Sequence, residues 1–153
     1  MKESVLRPGA RAALLAFLFD QATKALAITA APLLSEGIDV LPGFSLVLVR
    51  NTGISFGMFG AVPWWLLALG GTGISAGLGV WLWREDDRLT GTALGLVIGG
   101  AMGNVVDRVR YGGVTDFIDL HAGSYHWPAF NLADVAIFGG AALLAARSFR
   151  TGH

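Results

Sequence analysis

Apolar residues fall along this chain in four long runs separated by polar breaks, and each run is close to the roughly 20 residues that a helix needs to cross a bilayer core. RAALLAFLFDQATKALAITAAPLL occupies 11–34, PWWLLALGGTGISAGLGVWLW occupies 63–83, LTGTALGLVIGGAMGNVVDRV occupies 89–109 and WPAFNLADVAIFGGAALLAA occupies 127–146. The third run carries Gly91, Gly95, Gly99 and Gly103, one stripe of small residues that lets helix backbones approach closely. Residues 35–62 form the longest connection. Leu41-Pro42-Gly43 reads as a turn there, and FSLVLV at 44–49 is apolar and β-branched enough for a strand. The pattern predicts four transmembrane helices, a small strand element on the outer surface and an outer loop over 110–126.

Composition supports a membrane protein. Hydrophobic residues make up 54% and charged residues 14% of the 153 positions, with 22 glycines, where soluble domains average about a quarter charged. The length reads as one domain, 1–153. Formal net charge is zero, so no basic field points to nucleic acid, and the lack of cysteine excludes disulfides and thiolate chemistry. Lys2, Arg7, Arg11, Arg84, Arg88, Arg147 and Arg150 all fall on one side if the four runs all cross. By the positive-inside rule that side, with both termini, is cytoplasmic. A cleavable leader at the start is the rival reading, but Asp20 and Lys24 interrupt the apolar run and no soluble domain follows it.

The remaining polar side chains converge. The three Asn (51, 104, 131) and the single Gln21 each stand within four residues of a charge. Topology sends Asn51, Asn104, Asp107, Arg108, Asp116, Asn131 and Asp134 toward the outer face, with Asp20 and Lys24 in the middle and outer half of the first run. Ionisable groups at that depth face the protein interior and are paired or functional. Asp20 and Lys24, four apart on one helix face, read mainly as a structural ion pair. Asp107 and Arg108 fit bundle packing or capping as well as chemistry. Asp116 and Asp134 have no evident local partner, which favours chemistry: two facing carboxylates can share a proton, activate water and protonate a leaving nitrogen. Asp119 is expected to be exposed in the loop.

Other chemistries fit less well. G-x-S-x-G occurs at 53–57 and 73–77, yet a serine nucleophile needs a strand-to-helix elbow. The second copy lies inside an apolar run, and no His is placed to serve the first. His121 and His126, with Asp116 or Asp119, lack a metal-binding spacing and read as exposed loop residues. A proton or ion path is suited better by acids spread across the bilayer than by acids gathered at one end.

Four ordered boxes resemble the lipoprotein signal peptidases (signal peptidase II), bacterial membrane aspartic proteases. They are Phe17-Leu18-Phe19-Asp20-Gln21-Ala22-Thr23-Lys24, Arg50-Asn51-Thr52-Gly53-Ile54-Ser55-Phe56-Gly57, Gly99 to Arg108 continuing into Gly113-Val114-Thr115-Asp116-Phe117, and Phe130-Asn131-Leu132-Ala133-Asp134. The resemblance implies Asp116 and Asp134 as the catalytic dyad. It implies Asn51, Asn104, Arg108 and Asn131 along the substrate groove, with Asp20, Lys24, Gly53 and Asp107 in support, and no metal or cofactor. It further implies four transmembrane helices with a β cradle in the bacterial inner membrane, the site toward the outer face. The implied substrate is a prolipoprotein cut just before a diacylglyceryl-modified Cys, and the implied inhibitors are of the globomycin type.

Overall fold

The computed structural model describes residues 3–53 and 62–151. Along the chain lie α1 (Glu3–Thr29), a one-turn α2 (Ala31–Leu34), β1 (Ile38–Leu41), β2 (Phe44–Asn51), α3 (Trp64–Arg84), α4 (Arg88–Tyr111), β3 (Val114–Ala122), β4 (Tyr125–His126) and α5 (Leu132–Thr151). Four segments, Val5–Thr29, Trp64–Arg84, Arg88–Tyr111 and Leu132–Phe149, are long and apolar enough to cross a membrane. Helix α4 is the central post, packed against α1, α3 and α5.

The glycine stripe explains how α4 occupies that position. A Cβ on Gly95 would strike the Gly9 carbonyl, one on Gly99 the Ala13 carbonyl and one on Gly103 the Asp20 carboxylate, so the whole stripe abuts α1. Gly100 and Gly140 do the same between α4 and α5. Lipid offers no hydrophobic drive for helix association, and such close backbone contact supplies the packing instead. Large apolar side chains such as Phe19, Leu69, Ile74 and Phe138 point outward.

Helix boundaries depart from the apolar runs at two places. The first helix already includes Glu3, and buried Val5 packs on Gly91; it ends at Thr29, before Pro32, which lacks the N–H a continuing helix needs. The fourth starts at Leu132, not 127. Residues 127–130 instead run back along β3, with Trp127 N–H donating to Leu120 O at 2.8 Å and Phe130 N–H to Ile118 O at 3.0 Å. Asn131 caps the helix and fixes its start there.

The strand expected at 44–49 is β2. The outer loop expected over 110–126 is mostly β3, whose β-branched and aromatic VTDFI stretch pairs with β2 in antiparallel register: Asn51 opposite Val114, Val49 opposite Asp116, Ser45 opposite Asp119. Strand order is β1-β2-β3-β4. Ala27, Leu34 and Phe117 seat this sheet on the end of α1 and on α2. Arg147 reaches Asp87 at 3.2 Å. That contact and the Val5–Gly91 contact put the start of α1, the α3–α4 turn and the end of α5 at one end of the bundle, with the sheet at the other.

Candidate active site

Where α4 meets the sheet, a cavity of about 130 Å³ is lined by Asn51, Gly53, Asn104, Arg108, Val114, Asp116 and Asp134. Three elements aim the two carboxylates at it. Helix α4 stops at Gly112, whose φ of 71° closes the helix with a bond from its N–H to Arg108 O, and the chain turns at once into β3 and Asp116. Asp134 lies in the first turn of α5. Its Oδ2 accepts from Asn131 N–H at 3.2 Å while Asn131 Oδ1 accepts from Asp134 N–H at 3.1 Å. This is the reciprocal arrangement of a capping box, so one carboxylate both caps a helix and faces the cavity.

Amides join the two acids. Asn131 Nδ2 donates to Asp116 Oδ1 at 2.6 Å and to Asn104 Oδ1 at 3.3 Å; Asn104 Nδ2 donates to Asp134 Oδ1 at 3.0 Å. Lys24 Nζ also donates to Asn104 Oδ1, at 2.8 Å, which fixes the Asn104 oxygen inward and turns its NH2 toward Asp134. Asn51 Nδ2 donates to Asp116 Oδ2 at 3.0 Å, and its oxygen accepts from Gly53 N–H at 3.2 Å. Burial drives the Asp116 carboxyl up to about 6; the bonds from Asn51 and Asn131 oppose that rise and the charge of Asp134 adds to it.

Beneath the cavity lies a dry ionic layer. Lys24 is 2.9 Å from Asp20 and 3.6 Å from Asp107, and all three side chains are almost wholly buried. Asp20 Oδ1 accepts from Ala133 N–H at 3.0 Å, satisfying a donor at the start of α5, and Asp107 Oδ2 accepts from Thr115 N–H at 2.8 Å, beside Asp116. The layer therefore holds both carboxylate-bearing segments against α1 and α4. Arg108 donates to Asn104 O at 3.3 Å and places its charge near both acids.

Asn131 is fully buried, with its amide committed to Asp116 and Asn104. One expectation is corrected. Asp119 is not exposed. It is buried on β3 and lies 2.8 Å from His126 Nδ1, while His121 Nε2 meets Ser45 Oγ at 3.0 Å and the two imidazoles stack at 4.9 Å. No group of three or more His, Cys, Asp or Glu among the described residues is set to hold a metal ion. Ser75 is buried within α3, away from any strand-to-helix elbow; Ile54–Gly57, with Ser55, lies outside the described residues. Val114 lines the cavity and escaped the sequence reading, because an apolar residue at a strand start carries no chemical signal.

A bundle of four helices long and apolar enough to cross a membrane, with two amide-linked carboxylates on a polar cavity, defines a multi-pass membrane protein. A sequence profile of the family described as Signal peptidase (SPase) II matches residues 12–150. The lipoprotein signal peptidase of Methylobacterium radiotolerans is 43% identical over 138 residues, covering 88% of this chain and 81% of that one. That of Rhodopseudomonas palustris is 44% identical over 148 residues, covering 91% and 90%. A bacterial membrane enzyme solved by the in meso method superposes with a TM-score of 0.81 at 27% identity, covering 93% of this chain and 87% of that one. The chain belongs to the signal peptidase II family of membrane aspartic peptidases.

Proposed function

We propose that Asp116 and Asp134 are the catalytic pair of an endopeptidase that removes signal peptides from diacylglyceryl-modified prolipoproteins, cutting immediately before the lipidated Cys. The observation that carries this reading is the Asn131–Asn104 bridge, which turns both carboxylates onto one cavity. One carboxylate accepts a proton from water as the water oxygen attacks the scissile carbonyl carbon. The other supplies a proton to the leaving nitrogen; the C–N bond breaks, leaving a carboxyl terminus on the signal peptide and a free amine on the Cys. Base and acid are roles of the pair and are not divided between the two residues.

An extended substrate at membrane depth needs partners for its backbone polar groups. Asn51, Asn104 and Arg108 line the cavity and suit that task, and Gly53 holds the Asn51 amide in place. The cationic flanks, Arg84 and Arg88 between α3 and α4 and Arg147 and Arg150 after the α5 apolar run, support a bacterial inner-membrane orientation with both termini cytoplasmic and the cavity toward the outer face. Globomycin-type inhibitors are expected to compete there. The test is cleavage of a precursor with and without the diacylglyceryl group by wild type, Asp116→Asn and Asp134→Asn. Only wild type acting on the lipidated precursor should give product; turnover by either variant would falsify the assignment.

A further inference from the structure

The polar cavity is not alone in opening on Asp134. A second, of about 390 Å³, is lined by Leu120, Trp127, Phe130, Val135 and Phe138 together with Asp134 itself. Trp127 and Phe130 reach it because residues 127–130 lie along β3, while Val135 and Phe138 come from the first turns of α5. Asp134 thus stands between two compartments of opposite character. One offers the polar side chains of Asn51, Asn104 and Arg108; the other is lined by aromatic and aliphatic side chains, with that acid the one charged residue among its described lining.

We infer that this apolar groove receives the acyl chains of the diacylglyceryl group borne by the residue that follows the scissile bond. The inference rests on the endopeptidase reading above and adds where the lipid lies. A substrate with a polar backbone on one side of its cleavage point and hydrocarbon on the other matches two cavities that meet at a catalytic carboxylate. Another apolar groove, of about 350 Å³, runs between α1, α2 and β2 past Leu26, Ala30, Leu34 and Leu46, but no acid lines it. Chains lying there would leave the thioether away from the reacting atoms. The bilayer is as apolar as the groove, so occupancy gains nothing from hydrophobic transfer. What the groove supplies is direction: chains laid against Trp127, Phe130 and Phe138 orient the linked amide beside Asp134.

The experiment compares full-length enzyme on two synthetic precursors that differ only in acyl length, dipalmitoyl and dibutyryl. Val135→Trp fills the groove, and Phe138→Ala, at a position 78% exposed, opens it without threatening the fold. Val135→Trp should lower kcat/KM for the dipalmitoyl precursor at least about tenfold and for the dibutyryl precursor less than about twofold. Phe138→Ala should lower the long-to-short preference about threefold or more. Ala30→Trp, which fills the other groove, should leave both substrates within about twofold. Equal losses on both substrates, no loss on either, or a chain-length-dependent loss from Ala30→Trp would each overturn the assignment; no loss would mean the groove holds only bulk lipid. Retained cleavage by Asp116→Asn would instead overturn the aspartic reading and leave the chain-length comparison standing.

Discussion

Asn131 lies behind Asp116, its amide nitrogen 2.6 Å from one carboxylate oxygen, while its own oxygen caps the helix that carries Asp134. The two tasks of this side chain can be separated. Asn131→Ser keeps a capping oxygen but has no amide nitrogen, so kcat should fall about 10²-fold and the buried acceptors left unpaired should cost about 1–3 kcal/mol of stability. Asn131→Ala should lose a further ~1 kcal/mol of stability without a further loss in rate. Steady-state cleavage read beside thermal unfolding in detergent decides the matter, and a Ser variant that turns over normally would remove Asn131 from the catalytic arrangement.

The raised carboxyl of Asp116 sets the pH response. Its native value of about 6 exceeds the ordinary carboxylate value of about 3.9, so between these two pH values the folded protein binds more proton than the unfolded chain. Asp116 therefore favours the native state below about pH 4, and that contribution fades as pH rises through about 6. Wild type should lose stability relative to Asp116→Asn across this window on warming. Cleavage runs the opposite way: the acid limb of the kcat/KM profile should climb through about pH 6 as Asp116 loses its proton. A profile flat over about one pH unit either side of that value would contradict the raised Asp116 carboxyl.

Lys24 is the single cation joining Asp20, Asp107 and Asn104 in the dry layer below the cavity. Replacing it with Met leaves two buried carboxylates without their counter-charge, a loss on the order of 3–5 kcal/mol. Lys24→Met should accumulate poorly or unfold well below wild type. The double variant Lys24→Met, Asp20→Asn should recover part of that stability, because one stranded charge is gone. Unfolding in a fixed detergent measures both, and a Lys24→Met protein as stable as wild type would show the layer to be dispensable.

These pairings explain what the sequence made legible. Helix count followed from apolar runs of membrane length, and Asp20–Lys24 followed from i, i+4 spacing, a local rule that needs no fold. The boundary at Leu132 did not follow, since hydropathy cannot tell a Trp-Pro-Ala-Phe stretch in a helix from one laid along a strand. Strand β3 escaped because its polar residues, Thr115, Asp116 and Asp119, are buried together with Val114 and Phe117, so the usual alternation of apolar-in and polar-out is lost. The convergence of the acids was readable from topology, but which face of each side chain was free was decided by amide contacts across four elements.

Close helix contact yields a prediction at Gly99, where an added Cβ would meet the Ala13 carbonyl, backbone that has no room to move. Gly99→Ala should cost about 1–3 kcal/mol. Gly139 on α5 has nothing within 4 Å of an added Cβ, so Gly139→Ala should be neutral or gain up to ~1 kcal/mol from helix propensity. Equal effects of the two substitutions on unfolding would refute the idea that the stripe is there for α1.

Asp119 is three residues from Asp116 on the same strand and is the obvious competitor for the second catalytic acid. Its surroundings argue otherwise. It does not line the cavity, and its carboxylate accepts from His126 Nδ1 at 2.8 Å, tying β3 to β4 at the far side of the hairpin that returns the chain to Asn131. Ser45, opposite it in register, donates to Asp39 Oδ1 at 2.6 Å, so the hydrogen shared with His121 must come from Nε2. Asp119→Asn weakens one partly exposed bond and should destabilise the protein by about 0.5–1.5 kcal/mol while keeping turnover of the folded fraction within about twofold. Activity normalised to folded protein is the deciding measurement. If Asp119→Asn folds normally yet is inert, and Asp116→Asn is active, Asp119 takes the place of Asp116 opposite Asp134.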